Sequence, residues 1–421
     1  MNTRRLLIVL SVIALLIVVG IGLYFLFFGA KTPASPATGT QTGSTGSLPS
    51  AGNQNNAGNG ITAGGTTTGV GASGANATLA KNFGVISSEP TLDYFVDAAN
   101  TVTAIEPDGK IIQVTGGQVS TLNSLLVQNI ISAGFSYNGA KVLVNFGDPA
   151  NPQTSIFDVA AKTWTPLAQG LLSPVWSPSD YRIAFAASNA NGTEGFGTFD
   201  LSKPKPAPVL ITTLHAQDLA IAWPSKNQVV FYAKPSAYAP GSAWSFDLQK
   251  SALAPIALET PGLAMLWSGP AFGQAAAPRV LEFSAGVANL GGSLALTDAS
   301  GNTTQRLKLL TLPSKCSFAS ATSTLPATAS STSTTTTSTP YLFCGVPRDQ
   351  NTLSVSHLPD DYNQMSLFTS DDIYRINLQN GAVDTVFNDP SQNLDISDVR
   401  FFNNTLFFIN RYDEKLYAIS L

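Results

Sequence analysis

Apolar residues recur at every second position along most of the chain from residue 81 onward. The runs are short, rich in Val, Ile, Leu, Phe and Tyr, and bounded by Gly, Pro, Asn and Asp. A period of two is typical of a half-buried β-strand, because successive side chains point to opposite faces, whereas a helix places its apolar residues three and four apart. Turns such as Pro107-Asp108-Gly109 and Asn138-Gly139 separate the runs. The pattern predicts an all-β fold for residues 81–421.

A longer phrase repeats within this pattern. An apolar strand ends in an aromatic residue, a turn and a second apolar strand follow, and a third strand ends in Asp. In the clearest copy, Pro-Val-Trp-Ser-Pro at 174–178 leads to Ile-Ala-Phe at 183–185 and to Gly-Thr-Phe-Asp at 197–200. Phe135, Trp176 and Trp223 hold equivalent positions, with steps of 41 and 47 residues between them. The chain is therefore built from repeated units of one design.

The repeat predicts a single β-propeller. A period of ~40 to 50 residues with four strands per unit is typical of that fold, in which each unit forms one blade. We count seven blades, and six is the alternative because the inner strand of the first unit is indistinct. The last unit ends after three strands, and residues 83–87 are the candidate for its fourth. The Asp residues that end the third strands are predicted to cap turns: Asp158, Asp200, Asp247 and Asp298.

The phrase at 174–185 resembles the repeat of TolB-like, WD-related propellers, which reads Pro-x-Trp-Ser-Pro-Asp-Gly and then Ile-Ala-Phe. Here Ser179 and Asp180 replace the Asp-Gly pair, and later units keep only the aromatic residue and the apolar spacing. The resemblance covers residues 83–421 and implies the fold. TolB itself is a soluble periplasmic protein with an extra domain before its propeller, so its role in the cell envelope is not implied for this chain.

An uncharged apolar run fills residues 6–28, directly after Arg4 and Arg5. As a helix it is about 35 Å long, enough to cross a bilayer. Residues 1–30 are therefore predicted to be a signal-anchor with one transmembrane helix. A cleaved secretory signal is the alternative, because Gly29-Ala30 and the Ala-rich stretch after it suit a cleavage site. The basic residues before the span place the N-terminus in the cytoplasm and the rest of the chain outside it.

Residues 31–80 are predicted to be a disordered linker. From residue 32 to residue 80 the chain has no charged residue and consists mainly of Gly, Ser, Thr, Ala, Asn, Gln and Pro. Such a segment buries too little apolar surface to offset the loss of chain entropy. A flexible coil of this length has a root-mean-square reach on the order of 40 Å.

The charge pattern argues against nucleic acid as a partner. The net charge is −4, and Lys and Arg form no cluster along the chain. A glycine-rich loop able to cradle phosphate is also missing from the sequence, so no cofactor is predicted.

The two cysteines, Cys316 and Cys344, fall on the first and second strands of the sixth unit. Neighbouring antiparallel strands bring Cα atoms to ~5.5 Å, a distance that suits a disulfide bond. Between them lies a Ser/Thr-rich insertion at about residues 319–340, which is predicted to be disordered. The disulfide is expected to tie down the base of this insertion. A metal pair and a redox pair are the alternatives, without Cys-x-x-Cys or nearby His to support them.

Two other groups of residues bear on chemistry. His215 and His357 have no Ser, Cys or Asp motif beside them that suggests a catalytic triad. Asp360, Asp361, Asp371 and Asp372 form the densest acidic region and are weak candidates for a Ca²⁺ site. Their spacing does not match an EF-hand, and a solvated acidic loop is the simpler interpretation.

The sequence favours a non-enzymatic, membrane-anchored propeller outside the cytoplasm that binds or scaffolds proteins of the cell envelope. Its partners are then the membrane, through residues 6–28, and at least one protein. The alternatives are a hydrolase or lyase of envelope polymers with its site at a channel mouth, and a Ca²⁺- or sugar-binding module. A propeller assembles sites from different blades, so a linear motif is not required.

Overall fold

The computed structural model describes residues 82–188, 193–214, 218–269, 278–324 and 336–421. Within these residues, strands β1 to β28 form seven antiparallel sheets of four strands each. Each sheet is one blade of a β-propeller. The predicted all-β fold with seven blades is confirmed, and six blades is wrong.

The predicted membrane span at 6–28 and the linker at 31–80 lie outside the described residues. Within the part of the chain that the structure describes, no helix has the length and apolar character of a membrane span.

Blades 1 to 6 each use four consecutive strands. Blades 1 to 3 contain β2 (Asp93–Val96), β3 (Val102–Ile105), β4 (Ile111–Thr115), β5 (Gln118–Thr121), β6 (Ile130–Phe135), β7 (Lys141–Phe146), β8 (Gln153–Asp158), β9 (Thr163–Pro166), β10 (Leu172–Trp176), β11 (Arg182–Ser188), β12 (Glu194–Asp200) and β13 (Pro208–Leu214). Blades 4 to 6 contain β14 (Leu219–Ser225), β15 (Gln228–Ala233), β16 (Pro240–Asp247), β17 (Ala252–Pro261), β18 (Ala264–Trp267), β19 (Arg279–Ala285), β20 (Gly292–Asp298), β21 (Thr303–Arg306), β22 (Cys316–Thr324), β23 (Thr336–Pro347), β24 (Asp371–Asn377) and β25 (Val383–Phe387).

Blade 7 is completed by a strand from the start of the ring. It contains β26 (Ile396–Phe402), β27 (Thr405–Asn410) and β28 (Lys415–Ser420), and β1 (Asn82–Pro90) pairs antiparallel with β28. The Phe83 ring stacks on Tyr417, with 5.4 Å between centroids, and lies 5.1 Å from Phe387. The prediction that residues 83–87 supply the fourth strand is confirmed, and the strand is longer at both ends.

A polar seam joins blade 7 to blade 1. The Tyr94 hydroxyl donates to the Asp398 carbonyl (2.7 Å). The Arg400 guanidinium donates to the Tyr94 carbonyl and to the Asp93 carboxylate, and it lies over the Tyr94 ring, 4.4 Å from the centroid. Together with the pairing of β1 and β28, these contacts close the ring.

The first strand of each blade lies at the centre of the ring. First strands of neighbouring blades contact one another, as β2 contacts β6 and β22 contacts β26. The recurring aromatic residues end these strands and pack between blades: the Trp176 indole N–H of blade 3 donates to the Gly134 carbonyl of blade 2 (2.9 Å). Farther out, Phe196 of blade 3 lies edge-on to Phe231 of blade 4, 4.7 Å away. Aromatic packing of this kind holds adjacent sheets together.

The alternating strand directions give the ring two distinct faces. Turns after first and third strands lie on one side, and connections after second and fourth strands lie on the other. The longest described connection, residues 348–370 between β23 and β24, contains the short helices α1 (Gln350–Ser354) and α2 (Asp360–Asn363). We call this segment the cap, its side of the ring the cap face, and the other side the opposite face.

The β22–β23 hairpin extends into the predicted insertion on the opposite face. Its strand pairs run from Cys316 opposite Cys344 to Thr324 opposite Thr336. The strands thus include residues 319–324 and 336–340, both ends of the segment that we expected to be disordered. Residues 325–335 lie outside the described residues.

The third-strand Asp residues cap turns, as predicted. In each, a carboxylate oxygen accepts a hydrogen bond from the backbone N–H two residues later, at 2.9 to 3.1 Å. The four carboxylates belong to Asp158, Asp200, Asp247 and Asp298. Asp158 also accepts from the Lys141 ammonium (2.6 Å), and these hydrogen bonds hold the pKa of its carboxyl group below the ordinary value.

We expect Asp158→Ala to lower the free energy of unfolding by about 1 kcal/mol, because the turn loses its acceptor. Asp158→Asn keeps an acceptor oxygen and should cost less. Because the folded pKa is lowered, the contribution of the charge is present above the unfolded pKa of ~3.9 and is lost as pH falls through the folded pKa. Denaturant unfolding should therefore show the gap between wild type and Asp158→Asn closing in acid. A gap that stays constant would contradict this assignment.

Candidate functional site

The cap reaches from blade 6 over the connections of blades 4 and 5. The Ala237 N–H of blade 4 donates to the Asp360 carboxylate at the start of α2. The Tyr238 and His357 rings pack together, with 5.0 Å between centroids. In blade 5, the Asn289 carbonyl lies 3.1 Å from His357 Nδ1. The cap therefore bridges three blades on one face of the ring.

An apolar base fixes the cap on the ring. Leu353, Leu358 and Tyr362 are buried with Leu312 and the disulfide of blade 6 in one cluster. At the N-terminus of α1, the Asp349 carboxylate accepts from the N–H groups of Asn351 and Thr352, which caps this helix. The sequence of the cap thus combines a helix signal with apolar residues that face inward.

A buried ionic network lies under the cap, where blades 6 and 7 meet. Lys315 precedes β22, and its ammonium donates to the carboxylates of Asp371 and Asp395, both at 2.6 Å, and to the Thr369 hydroxyl at 2.8 Å. The side chains of Lys315, Asp371 and Asp395 are at most 1% exposed. One cation therefore connects the end of the cap and both blades.

Arg411, in the β27–β28 connection, balances the second negative charge. Its guanidinium donates to Asp395 (2.8 Å) and to the Tyr362 carbonyl in α2 (2.6 Å). It also stacks on the Tyr362 ring, 3.5 Å from the centroid. Two cations and two carboxylates thus form a neutral cluster that includes the cap.

The charges of this cluster depend on one another. Burial alone disfavours the ammonium of Lys315, but the carboxylates of Asp371 and Asp395 outweigh burial and raise its pKa above the ordinary value. Removing one partner from a buried ion pair leaves an uncompensated charge, which typically costs about 3 to 5 kcal/mol. We therefore expect the cluster to hold the cap in a single position.

The predicted disulfide is present between Cys316 and Cys344, which are both buried. Cys316 begins β22 next to Lys315, so the bond lies at the cap-face end of the hairpin. It ties β22 to β23 beneath the cap, on both sides of the predicted insertion at about residues 319–340.

The four acidic candidates have protein partners. Asp360 and Asp361 accept backbone N–H groups in and beside the cap, and Asp371 belongs to the buried cluster. Asp372 accepts from the Arg348 guanidinium (2.6 Å). Among the described residues, no group of three or more His, Cys, Asp or Glu side chains is placed to hold a metal ion.

The two histidines, His215 and His357, were considered in the sequence for acid–base chemistry. His357 packs against Tyr238 in the cap contact with blade 4. His215 lies outside the described residues.

A cavity of about 630 Å³ opens on the cap face at the first strands of blades 2, 3 and 4. Its polar lining includes Glu194, Asp218 and Lys234. Glu194 is buried and accepts the Asp218 N–H (3.0 Å), while the Asp218 carboxylate pairs with Lys234 (3.3 Å). Both carboxylates at this mouth therefore have structural partners.

A smaller cavity of about 240 Å³ lies beneath the cap. Its walls are the first strands of blades 4 and 5 and the segment before β22, and its lining includes Ala220, Met265 and Leu312. Pro359 and Asn363 of the cap also line it. The lining of this cavity is largely apolar.

The cap face carries many exposed, large apolar side chains. They lie in connections after second or fourth strands, at the start of β6 and in the cap itself: Leu92, Leu125, Leu126, Ile131, Tyr238, Val287, Val355, Met365, Phe368 and Tyr412. Phe368 stacks on Tyr412, 5.3 Å away. In the turns of the opposite face, Tyr137 is the exposed large apolar residue among those that the structure describes.

This chain is similar to known proteins in its fold alone. The sequence matches no protein-family model and no curated protein. Among solved structures, the chain is similar to the tricorn protease (13% identity, TM-score 0.45). The similarity covers 80% of this chain but only 34% of the protease chain. It is similar to TolB from Acinetobacter baumannii (11% identity, TM-score 0.36, 77% of this chain and 62% of TolB). It is also similar to YCF48 bound to a D1 peptide (12% identity, TM-score 0.46, 82% of this chain and 99% of YCF48).

We expect Lys315→Ala to lower the free energy of unfolding by about 3 to 5 kcal/mol, because two buried carboxylates lose their shared cation. The cap should also become sensitive to limited proteolysis. The matched control is Lys226→Ala, an exposed lysine whose loss should change stability by less than about 0.5 kcal/mol. Combining Lys315→Met with Asp371→Asn should recover part of the loss relative to Lys315→Met. Equal stability of Lys315→Ala and Lys226→Ala would contradict the role of the cluster.

Proposed function

We propose that this chain is a membrane-anchored module that binds a protein partner outside the cytoplasm, with the cap face as its binding surface. The observation that carries the proposal is the contrast between the two faces: among the described residues, ten exposed large apolar side chains lie on the cap face, whereas Tyr137 is the one in the turns of the opposite face. Exposed patches of large apolar residues mark interaction sites in soluble domains, whereas single exposed ones are ordinary.

The composition of the cap face suits a protein partner. Tyr, Phe and Met are enriched in protein interfaces, and the face presents Tyr238, Met365, Phe368 and Tyr412. Aromatic side chains supply large contact area with few rotatable bonds, so little conformational entropy is lost when they are covered. The cavity of about 630 Å³ beside the cap offers space for a side chain or loop of the partner.

The cap is fixed on the ring by several contacts, and this preorganisation also supports the proposal. Binding costs free energy when a loop must become ordered, and a surface that is already ordered avoids this cost. The cluster around Lys315, the contact of Asp360 with blade 4 and the buried Leu358 fix the cap at several points. The partner would meet a preformed surface.

The predicted anchor is compatible with an accessible cap face. Asn82 pairs with Ser420 at the end of β28, so the chain joins the ring on the opposite face. The predicted linker at 31–80 would then be attached there, with the span at 6–28 as the membrane anchor and a reach on the order of 40 Å. The binding surface would stay clear of the attachment point.

One labelling experiment tests both location and surface. Val287→Cys and Val355→Cys place a thiol on the cap face at side chains that are 94% and 68% exposed. Ser300→Cys is the control, in the exposed turn between β20 and β21 on the opposite face. A membrane-impermeant maleimide that carries a photo-crosslinker is added to intact cells, where the native cysteines are already joined in their buried disulfide.

We expect all three variants to be labelled in intact cells, and we expect the two cap-face positions to crosslink to the same protein. The control position should give no such product. Labelling only after permeabilisation would contradict the external location. Labelling without crosslinking, or equal crosslinking from Ser300→Cys, would contradict the cap face as the binding surface.

A further inference from the structure

A second groove lies on the outer wall of the ring, between blades 5 and 6. One wall is β21 and the residues that follow it, and the other is the outer part of blade 6 from β23 to β25, together with Arg348 and Gln350 at the start of the cap. Its volume is about 690 Å³, which suits a short segment better than a folded domain. It lies apart from the cap-face cavity and shares no lining residue with it.

Apolar side chains line much of this groove. Leu307 and Leu309 come from blade 5, and Tyr374, Ile376 and Val383 come from blade 6. Val383 is 53% exposed although it lies on a strand. Burial disfavours the ionised form of Tyr374 and raises the pKa of its hydroxyl.

Two unpaired cations lie among these apolar residues. Arg306 and Lys308 both line the groove and are exposed, and neither forms an ion pair or a hydrogen bond through its side chain with the described residues. The acidic residue of the groove, Asp372, is already paired with Arg348 at 2.6 Å. The groove is therefore positively charged in a chain whose net charge is −4.

The spacing of the two cations matches an extended ligand. Arg306 ends β21 and Lys308 follows two residues later, so their Cα atoms are about 7 Å apart in an extended chain. Carboxylates on residues i and i+2 of an extended peptide have the same spacing. The outer edge of β21 pairs with no described strand, which leaves backbone groups available to such a peptide.

Segments of the same chain are poor occupants. Residues 32–80 and 325–335 contain no charged residue, so neither would neutralise Arg306 and Lys308. We propose that the groove between blades 5 and 6 binds a short, extended, acidic segment of a partner protein, with two carboxylates at Arg306 and Lys308 and an apolar side chain against Leu307 and Tyr374. Arg306 and Lys308 lie near the cap-face end of blade 5, but the test of this site uses substitutions and ligands that the cap-face experiment does not use.

The test is a selection from displayed random octapeptides on the full chain. Arg306→Gln/Lys308→Gln is the test variant. Lys203→Gln/Lys205→Gln is the matched control, because it removes two exposed cations with the same spacing elsewhere on the ring. We expect enriched peptides with acidic residues at positions i and i+2 and an apolar residue beside them. Fluorescence anisotropy of the best peptide should show binding at least tenfold weaker to the test variant and unchanged to the control.

Three further measurements separate this site from general charge attraction. Replacing both acidic residues of the selected peptide with Gln should weaken binding at least tenfold, and Val383→Asp should do the same by placing a negative charge in the groove. Inorganic phosphate at the same ionic strength should not displace the peptide. The proposal is overturned if no selected acidic peptide needs Arg306 and Lys308 for binding. It is also overturned if the test and control double variants lose peptide binding equally, or if inorganic phosphate displaces the labelled peptide as well as unlabelled peptide does.

Discussion

The pairing of β1 with β28 closes the ring, and the placement of both faces follows from it. Without it, blade 7 would have three strands and an unpaired edge at β28. Because β1 continues directly into blade 1, the pairing brings the two ends of the ring together, and the polar seam around Tyr94 and Arg400 then forms. Closure covers the faces of blades 1 and 7, and each blade then keeps only the short edge of its outer strand.

The two faces follow from closure and strand alternation. The opposite face receives mainly short turns, many of them capped by an Asp side chain, together with the β18–β19 connection and the β22–β23 hairpin. The cap face receives the longest described connection, which is the cap. Longer connections have room for exposed apolar and aromatic residues, and a closed ring holds them at fixed positions, as binding loops on rigid scaffolds generally are.

The buried cluster converts the longest of these connections into ordered structure. Lys315 contributes one cation to carboxylates from the start of β24 and from the segment before β26. Arg411 contributes the second and reaches α2 through Tyr362. The disulfide at Cys316 fixes the strand that begins next to Lys315. Burial of apolar side chains stabilises the packing of the cap on the ring. The charge cluster restricts the position of the cap, because any displacement would leave charges unpaired.

Much of the fold could be predicted from the sequence because its determinants are local and repeated. The aromatic residue at the end of each first strand, the turn residues and the third-strand Asp recur at a nearly constant period. Cys316 and Cys344 were also predictable as partners, because an antiparallel hairpin places them opposite each other. These signals act within one blade or between adjacent blades.

The candidate site was less predictable because its contacts span long separations. Lys315 bonds to residues 54, 56 and 80 positions away, and nothing in its neighbourhood distinguishes it from a surface lysine. Asp371 and Asp372 therefore resembled cation ligands in the sequence, whereas their partners are Lys315 and Arg348. The position of the cap over blades 4 and 5 likewise depends on Ala237 and Asn289, which no local pattern connects to it.

If the closed ring binds its partner through the cap face, as we propose, binding should change hydrogen exchange on that face. Hydrogen exchange is therefore measured on the full chain with and without the partner captured by crosslinking. Binding should slow exchange in residues 234–239, 286–291, 348–370 and 411–414, while the turns of the opposite face should be unchanged. Slowed exchange confined to the opposite-face turns or to the outer strands would contradict this proposal.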